Sequence, residues 1–302
     1  MSQVATTAPP VSATVAQARR PRFWHSTIFR GRVGELILQI VLLVIGVSFV
    51  LPLYWMVLTS IKPDSQIFVY PPVWWPSSFV WSNYPQGLTY VPFFLYMRNT
   101  LFYAGLAVVG ALFSNPLAAY SFSRINWPGR NVLFIITIST LMLPYTVTLI
   151  PLFVIYRHLG WVNTYLPLIV PTFLGSPFYI FLLRQFMLTI PKELSEAARM
   201  DGATEFGIYW RIILPLIRPA LAAVALFEFI RAWKDFLGPL IYLNSDKLYV
   251  ISVGLQQYKQ EFNTQWAFLM AASTTATVPI ILLFYLTQRT FIQGITLTGI
   301  KG

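Results

Sequence analysis

Six long apolar runs, at residues 36–60, 99–122, 132–156, 165–188, 216–243 and 266–287, constrain this chain more than any other feature. Each meets or exceeds the ~20 apolar residues that a helix needs to cross a bilayer. Inside a bilayer the backbone must satisfy its own hydrogen bonds, which leaves helices or closed barrels. The runs are continuous rather than alternating, so helices are expected. Composition agrees. Of 302 residues, 56% are hydrophobic and only 10% charged, against ~25% charged in a soluble domain. The predicted class is an all-α integral membrane protein with six transmembrane helices.

Lys and Arg set the orientation. With the N-terminus inside, the cytoplasmic segments hold Arg19, Arg20, Arg22, Arg30 and Arg32, then Arg124 and Arg130, then Arg184, Lys192, Arg199, Arg211 and Arg218, and finally Arg289 and Lys301. The exterior segments hold only Lys62, Arg98, Arg157, Lys247 and Lys259. Both termini are therefore expected in the cytoplasm, and this asymmetry accounts for the net charge of +11 without a nucleic-acid partner. Residues 1–34 read as a disordered cytoplasmic tail, with no cleavage site of a removable signal peptide, followed by the membrane domain at 35–302. The longest exterior loop, 61–98, carries Trp74, Trp75 and Trp81. They suit either an interfacial aromatic belt or a lip that meets an external protein.

Between the fourth and fifth runs lies the stretch 190–215, which mixes charges of both signs. Pro191 suits a helix start. Helical spacing puts Leu194, Ala197 and Ala198 on one face and Lys192, Glu196 and Arg199 on the other. Gly202 suits a left-handed helix end, and Thr204 suits the cap of a second helix. Pro215 then interrupts that second helix. A helix–turn–helix at the cytoplasmic membrane surface is expected.

Glu196-Ala197-Ala198, then Gly202, then Ile212-x-Leu214-Pro215 resembles the EAA loop of ABC importer permeases. Further runs resemble the sugar-uptake branch of that family, in particular its maltose-type smaller subunit. They are Leu117-Ala118-Ala119-Tyr120, Phe122-Ser123-Arg124, Pro128-Gly129-Arg130, Leu149-Ile150-Pro151-Leu152, Leu159-Gly160 with Asn163-Thr164, Phe181 to Phe186, and Gly294-Ile295-Thr296 to Lys301-Gly302. The resemblance implies a permease subunit of an ATP-driven importer, moving a sugar such as an oligosaccharide across a bacterial or archaeal cytoplasmic membrane. It implies as partners a second homologous permease, two ATP-binding cassette subunits and an external solute-binding protein. It also implies that Glu196, Ala197, Ala198, Asp201 and Gly202 dock on the ATPase and couple to it.

The fifth run carries Glu228, Arg231, Lys234 and Asp235 within a ~120° arc of one helix face. Arg231 is within reach of Glu228 at i−3 and Asp235 at i+4. Charges at such depth cost ~2.5–3.5 kcal/mol each on insertion scales and usually face a polar pathway. Two readings stay open: an internal salt-bridge network that fixes packing, or a translocation pathway with Trp233 or Tyr242 as a stacking face. Asn115 and Ser114 in the second run are further pathway candidates. Pro144, Pro151, Pro167, Pro171 and Pro177 predict bent third and fourth spans. Ala272, Ser273, Ala276 and Thr277 predict close helix packing in the sixth.

There is no Gly-x4-Gly-Lys-Ser/Thr motif for nucleotide, no Gly-x-Ser-x-Gly elbow, and His25 and His158 lack metal-ligand spacing. No enzyme activity, metal or cofactor is expected. An anionic substrate of glycerol-phosphate type would suit Arg231 and Lys234. An ion-coupled secondary transporter, with Glu228 and Asp235 as ion sites, would instead show internal repeats.

Overall fold

The computed structural model describes residues 24–259 and 264–299, and among them the regular structure is entirely helical. The chain divides into two units, 1–54 and 55–302. Helix α1, Trp24–Ser60, begins inside the stretch expected to be a disordered tail, while residues 1–23 of that tail lie outside the described residues. From Leu36 to Leu53 its large apolar side chains are exposed all round, a pattern suited to lipid rather than water.

The second unit continues with α2 (Asn83–Tyr90) and α3 (Phe93–Arg124). Next come α4 (Arg130–Ser139), with a 3-10 turn to Met142, and α5 (Tyr145–His158). Helix α6 (Leu166–Ile169) passes through a 3-10 turn, Val170–Leu174, to α7 (Pro177–Thr189). Then follow α8 (Glu193–Met200), α9 (Glu205–Ile208), a π-helical turn at Tyr209–Ile213, α10 (Leu214–Leu216) and α11 (Arg218–Lys234). The short α12 (Leu237–Tyr242) and α13 (Ile251–Gly254) lead to α14 (Trp266–Gly299).

Four helical segments, Gly34–Ser60, Phe93–Arg124, Leu166–Thr189 and Trp266–Gln288, are long and apolar enough to cross a membrane. Two bent pairs bring the number to six if each pair is one span. They are Arg130–Met142 with Tyr145–His158, at 100°, and Glu205–Leu216 with Arg218–Lys234, at 76°. The third run is bent, as its prolines predict, whereas the fifth, expected as one helix, is not a single rod. Pro144 forces the residue before it, Leu143, into an extended conformation (ψ 111°) and then caps α5. In the fifth run, Pro219 sits in the first turn of α11, where its missing N–H costs nothing, and Ile217 takes up the bend. The run breaks again at Asp235, so the expected helix over 216–243 becomes α11 plus a separate α12.

Helix α3 is the axis of this unit, packing on α11, α7 and the 170–174 turn. Its buried face includes Ala104, Ala107, Gly110, Ala111 and Ala119, small residues that let neighbouring backbones approach. At Gly110 a Cβ would stand 2.7 Å from the Phe173 ring. Helix α14 meets α11 and α2 through buried Ala271, Ala272 and Ala276, the close packing that the small-residue spacing predicts. In the 61–98 segment, Asn83 Nδ2 donates to the Ser60 and Lys62 carbonyls at 3.1 and 3.0 Å, while Trp74, Trp75 and Trp81 stay exposed. Arg98 lies in α3, which starts six residues before the expected Asn99.

Candidate functional site

Two candidate sites are joined by one continuous stretch of chain, from α8 to α11. The first is the loop from α8 to α10. Helix α8 starts at Glu193, two residues after Pro191, and ends at Met200, with Asp201 as its C-cap. Gly202 follows with φ +82°, the left-handed conformation expected of it, and a Cβ added there would meet nothing within 4 Å. Its requirement is conformational rather than steric. Thr204 caps α9, its Oγ1 accepting from Gly207 N at 3.2 Å.

The buried face of α8 differs from the expected one. Ser195 and Ala198 turn inward, whereas Leu194 and Ala197 are exposed together with Glu196. Tertiary packing against the α7–α11 core, and not the apolar count of α8 alone, selects the inner face. The outward side thus presents Leu194, Ala197 and Met200, the last 89% exposed. Phe206 and Trp210 stack beside them, with centroids 6.3 Å apart, at 68% and 59% exposure.

The loop is held by a three-residue network that sequence reasoning missed. Arg199 Nε donates to Glu205 Oε1 at 2.6 Å, and the Tyr120 hydroxyl donates to Glu205 Oε2 at 2.7 Å, tying α8 and α9 to α3. That hydrogen bond to Glu205 also holds the pKa of Arg199 above its ordinary value. Glu205 carried a legible hint, being the acid directly after the capping Thr204. Its partner on α3, 85 residues earlier, did not.

The second site is a cavity of about 850 Å³ between α3, α5, α6, α7, α11 and α12. It collects most of the expected pathway residues: Asn115, Glu228, Arg231, Lys234, Asp235 and Tyr242 all line it. Glu228 is 3% exposed, yet fully served. Its carboxylate accepts from Arg231 Nη2 at 2.5 Å and Nε at 2.9 Å, and from the Tyr179 hydroxyl at 3.1 Å. The expected second pair, Arg231 with Asp235, is not formed. The helix ends at Lys234, and Asp235 instead accepts from the Tyr103 hydroxyl at 3.0 Å and from Gly238 N at 3.2 Å, capping α12. Lys234 is exposed and has no carboxylate within 4 Å among the described residues.

Asn115 is fully buried. It donates to Ala111 O and accepts from Ser176 N at 2.6 Å, pinning the break at Gly175 where α7 begins. Ser114 does related work, bonding the Gly110 and Thr172 carbonyls. The stacking expectations need correction. Trp233 does not line the cavity; it is buried and stacked on Phe229 at 5.3 Å. Tyr242 lines the cavity but is 2% exposed, with Phe153 stacked against it and Tyr156 edge-on. The most open aromatic side chains there are Tyr145 and Phe178, 48% and 47% exposed, ahead of Phe236 at 36%. Neither stood out in sequence, because only the bend at Pro144 and the break at Gly175 turn them to this cavity.

Bent apolar helices around a charged cavity, with an exposed helical loop, suit a membrane transport component. Residues 107–297 match the family described as "binding-protein-dependent transport system inner membrane component", and the chain belongs to that family. It is a transporter permease, not an enzyme. The chain is 34% identical over 275 residues to the probable ABC transporter permease protein YurM of Bacillus subtilis (strain 168), covering 89% of this chain and 90% of that protein. It is 34% identical over 269 residues to the arabinooligosaccharides transport system permease protein AraQ of Halalkalibacterium halodurans, covering 86% and 96%. Among solved structures, a bacterial ABC transporter involved in the import of the acidic polysaccharide alginate matches with a TM-score of 0.76 and 25% identity, covering 86% of this chain and 97% of that one.

Proposed function

We propose that this chain is one permease subunit of an ATP-driven importer for a carbohydrate, with an oligosaccharide as the favoured substrate. It spans the membrane six times, each bent pair forming one span, with both termini and the 190–215 loop in the cytoplasm. A second homologous permease completes the pathway, two ATP-binding cassette subunits dock on the loops, and a solute-binding protein delivers the sugar. The observation that carries this reading is continuity: the exposed α8–α9 loop runs through the π-helical turn and the 76° bend directly into α11, whose far end carries Arg231, Lys234 and Asp235 into the cavity. Seventeen helical residues at ~1.5 Å each make α11 a lever of ~25 Å. A push on Glu196, Ala197 and Met200 passes through the turn at Gly202, α9 and the bend to α11, which carries it to the cavity. Tyr145 and Phe178 supply faces for sugar rings.

Replacing Gly202 by Glu tests the coupling role. The left-handed backbone becomes strained and a charge enters the docking face. The subunit should still reach the membrane, but substrate-stimulated ATPase activity and uptake in vesicles should both fall by at least about tenfold, the equivalent of 1.4 kcal/mol. Persistence of both activities would remove the coupling assignment.

One observation favours a second reading, an acidic substrate: Lys234 lines the cavity with no carboxylate within 4 Å among the described residues. An alginate importer stands among the similar structures. Lys234→Gln should then lower uptake of a uronate or phosphate-bearing sugar while sparing a neutral oligosaccharide. Equal effects on both would leave the neutral-sugar reading alone. The ion-coupled alternative loses its sites, since Glu228 is occupied by Arg231 and Tyr179 and Asp235 by Tyr103 and Gly238 N.

A further inference from the structure

A small polar cavity of about 180 Å³ opens where the end of α3, the start of α4, the end of α7 and helix α8 meet. Five cations line it, Arg124, Arg130, Arg184, Lys192 and Arg199, against one carboxylate, Glu196. Only Arg199 has an acidic partner within 4 Å among the described residues. Arg124 spends its guanidinium on the Met187, Ile190 and Pro191 carbonyls, Arg130 on Ile125 O and Asn126 Oδ1, and Arg184 on Phe122 O and the face of Phe134. Carbonyls, an amide and a ring orient these cations without neutralising them.

The second observation is Ser195. It is 2% exposed, lines this cavity, and its hydroxyl has no hydrogen-bond partner; Arg124 Nε is likewise buried and unpartnered. A buried hydroxyl and a buried N–H left unsatisfied beside uncompensated charge are costly, and native structures usually fill such a place. The missing partner must accept hydrogen bonds from several directions and carry negative charge, which a tetrahedral phosphate group does.

We propose that this cavity binds a phosphate group, and that its source is the headgroup of an anionic phospholipid. Leu188 lines the rim and is exposed, so the polar cavity continues into apolar surface that suits an acyl chain. Clustered Lys and Arg at a membrane flank is the arrangement that recruits such lipids. A phosphate held there bridges α3, α4 and α7 to α8 and stiffens the seat of the loop. The inference rests on the proposed orientation only for which leaflet supplies the lipid.

The test is thermal unfolding of the assembled transporter in detergent. Dihexanoyl phosphatidylglycerol is titrated against the matching phosphatidylcholine, and inorganic phosphate against chloride at equal ionic strength. Binding to the folded state raises the midpoint with ligand concentration, and transport activity plays no part in the readout. Phosphatidylglycerol should raise the midpoint where phosphatidylcholine does not, and inorganic phosphate should do so only at higher concentration. The R130Q/K192Q variant should weaken the apparent affinity by about tenfold or more. Ser195→Ala should weaken it less, while raising the ligand-free midpoint by removing the orphaned hydroxyl. A phosphate response as strong as the lipid response would keep the anion site and assign it to free phosphate. The proposal is overturned if the anionic and neutral lipids behave alike with phosphate inert, or if R130Q/K192Q responds as the parent does. It is also overturned if the response appears only after the ATPase subunits are stripped, because an acidic side chain of a partner then fills the cavity.

Discussion

At the scale of single residues, the decisive group is Glu228. A carboxyl group at 3% exposure is tolerated because three donors converge on it from α11 and α7. Arg231 is less enclosed, its side chain 45% exposed, so the pair is a buried acid gripped by a cation that still lines the cavity. Removing Arg231 leaves Glu228 buried with Tyr179 alone. Arg231→Met should destabilise the subunit by ~3 kcal/mol, the lower end of the range for breaking a buried pair, since Arg231 keeps some solvent. Combining it with Glu228→Gln should recover a large part of that loss. Unfolding in detergent of both single variants and the double variant reads this directly, and simple additivity would show that the two side chains do not act as a pair.

At the scale of elements, bends rather than rods make the functional surfaces. Pro144 opens the 100° corner that brings Tyr145 to the cavity, and the break at Asp235 frees its carboxylate from Arg231 to cap α12. Prolines announced a bend in the third run, but not which side chain it would re-aim, and nothing in the sequence announced the break of the fifth run at Asp235. Helix α3 shows the opposite case, an uninterrupted element whose small residues seat others. Gly110→Leu should force Thr172 and Phe173 away from α3, since even a Cβ there crowds the Phe173 ring. The expected cost is ~1–3 kcal/mol of overpacking, seen as a lowered midpoint in thermal unfolding; an unchanged midpoint would mean that the 170–174 turn yields freely.

At the scale of the whole molecule, the apolar runs legible in sequence are the helical segments observed. Approximate positions and the all-helical class follow from a local rule, that a chain in lipid must close its own hydrogen bonds and present apolar side chains. The turn at Gly202 and the cap at Thr204 were legible for the same reason, because left-handed backbone and capping are properties of one or two residues. So was the Glu228–Arg231 pair, three residues apart on one helix. Long-range partners were not. Tyr179 on Glu228, Tyr103 on Asp235, Tyr120 on Glu205 and Asn115 on Ser176 N join residues 49, 132, 85 and 61 positions apart, and no periodicity encodes such distances. The inner face of α8 and the burial of Trp233 were misjudged for that reason: which side of a helix turns inward depends on what packs against it. The sequence by itself determined a bundle of membrane helices, a glycine-hinged loop and a family. Only the tertiary structure decided which charges remain unpaired at the cavity, which aromatic faces stay open, and which cations gather around Ser195, because each of these depends on contacts between segments far apart in the chain.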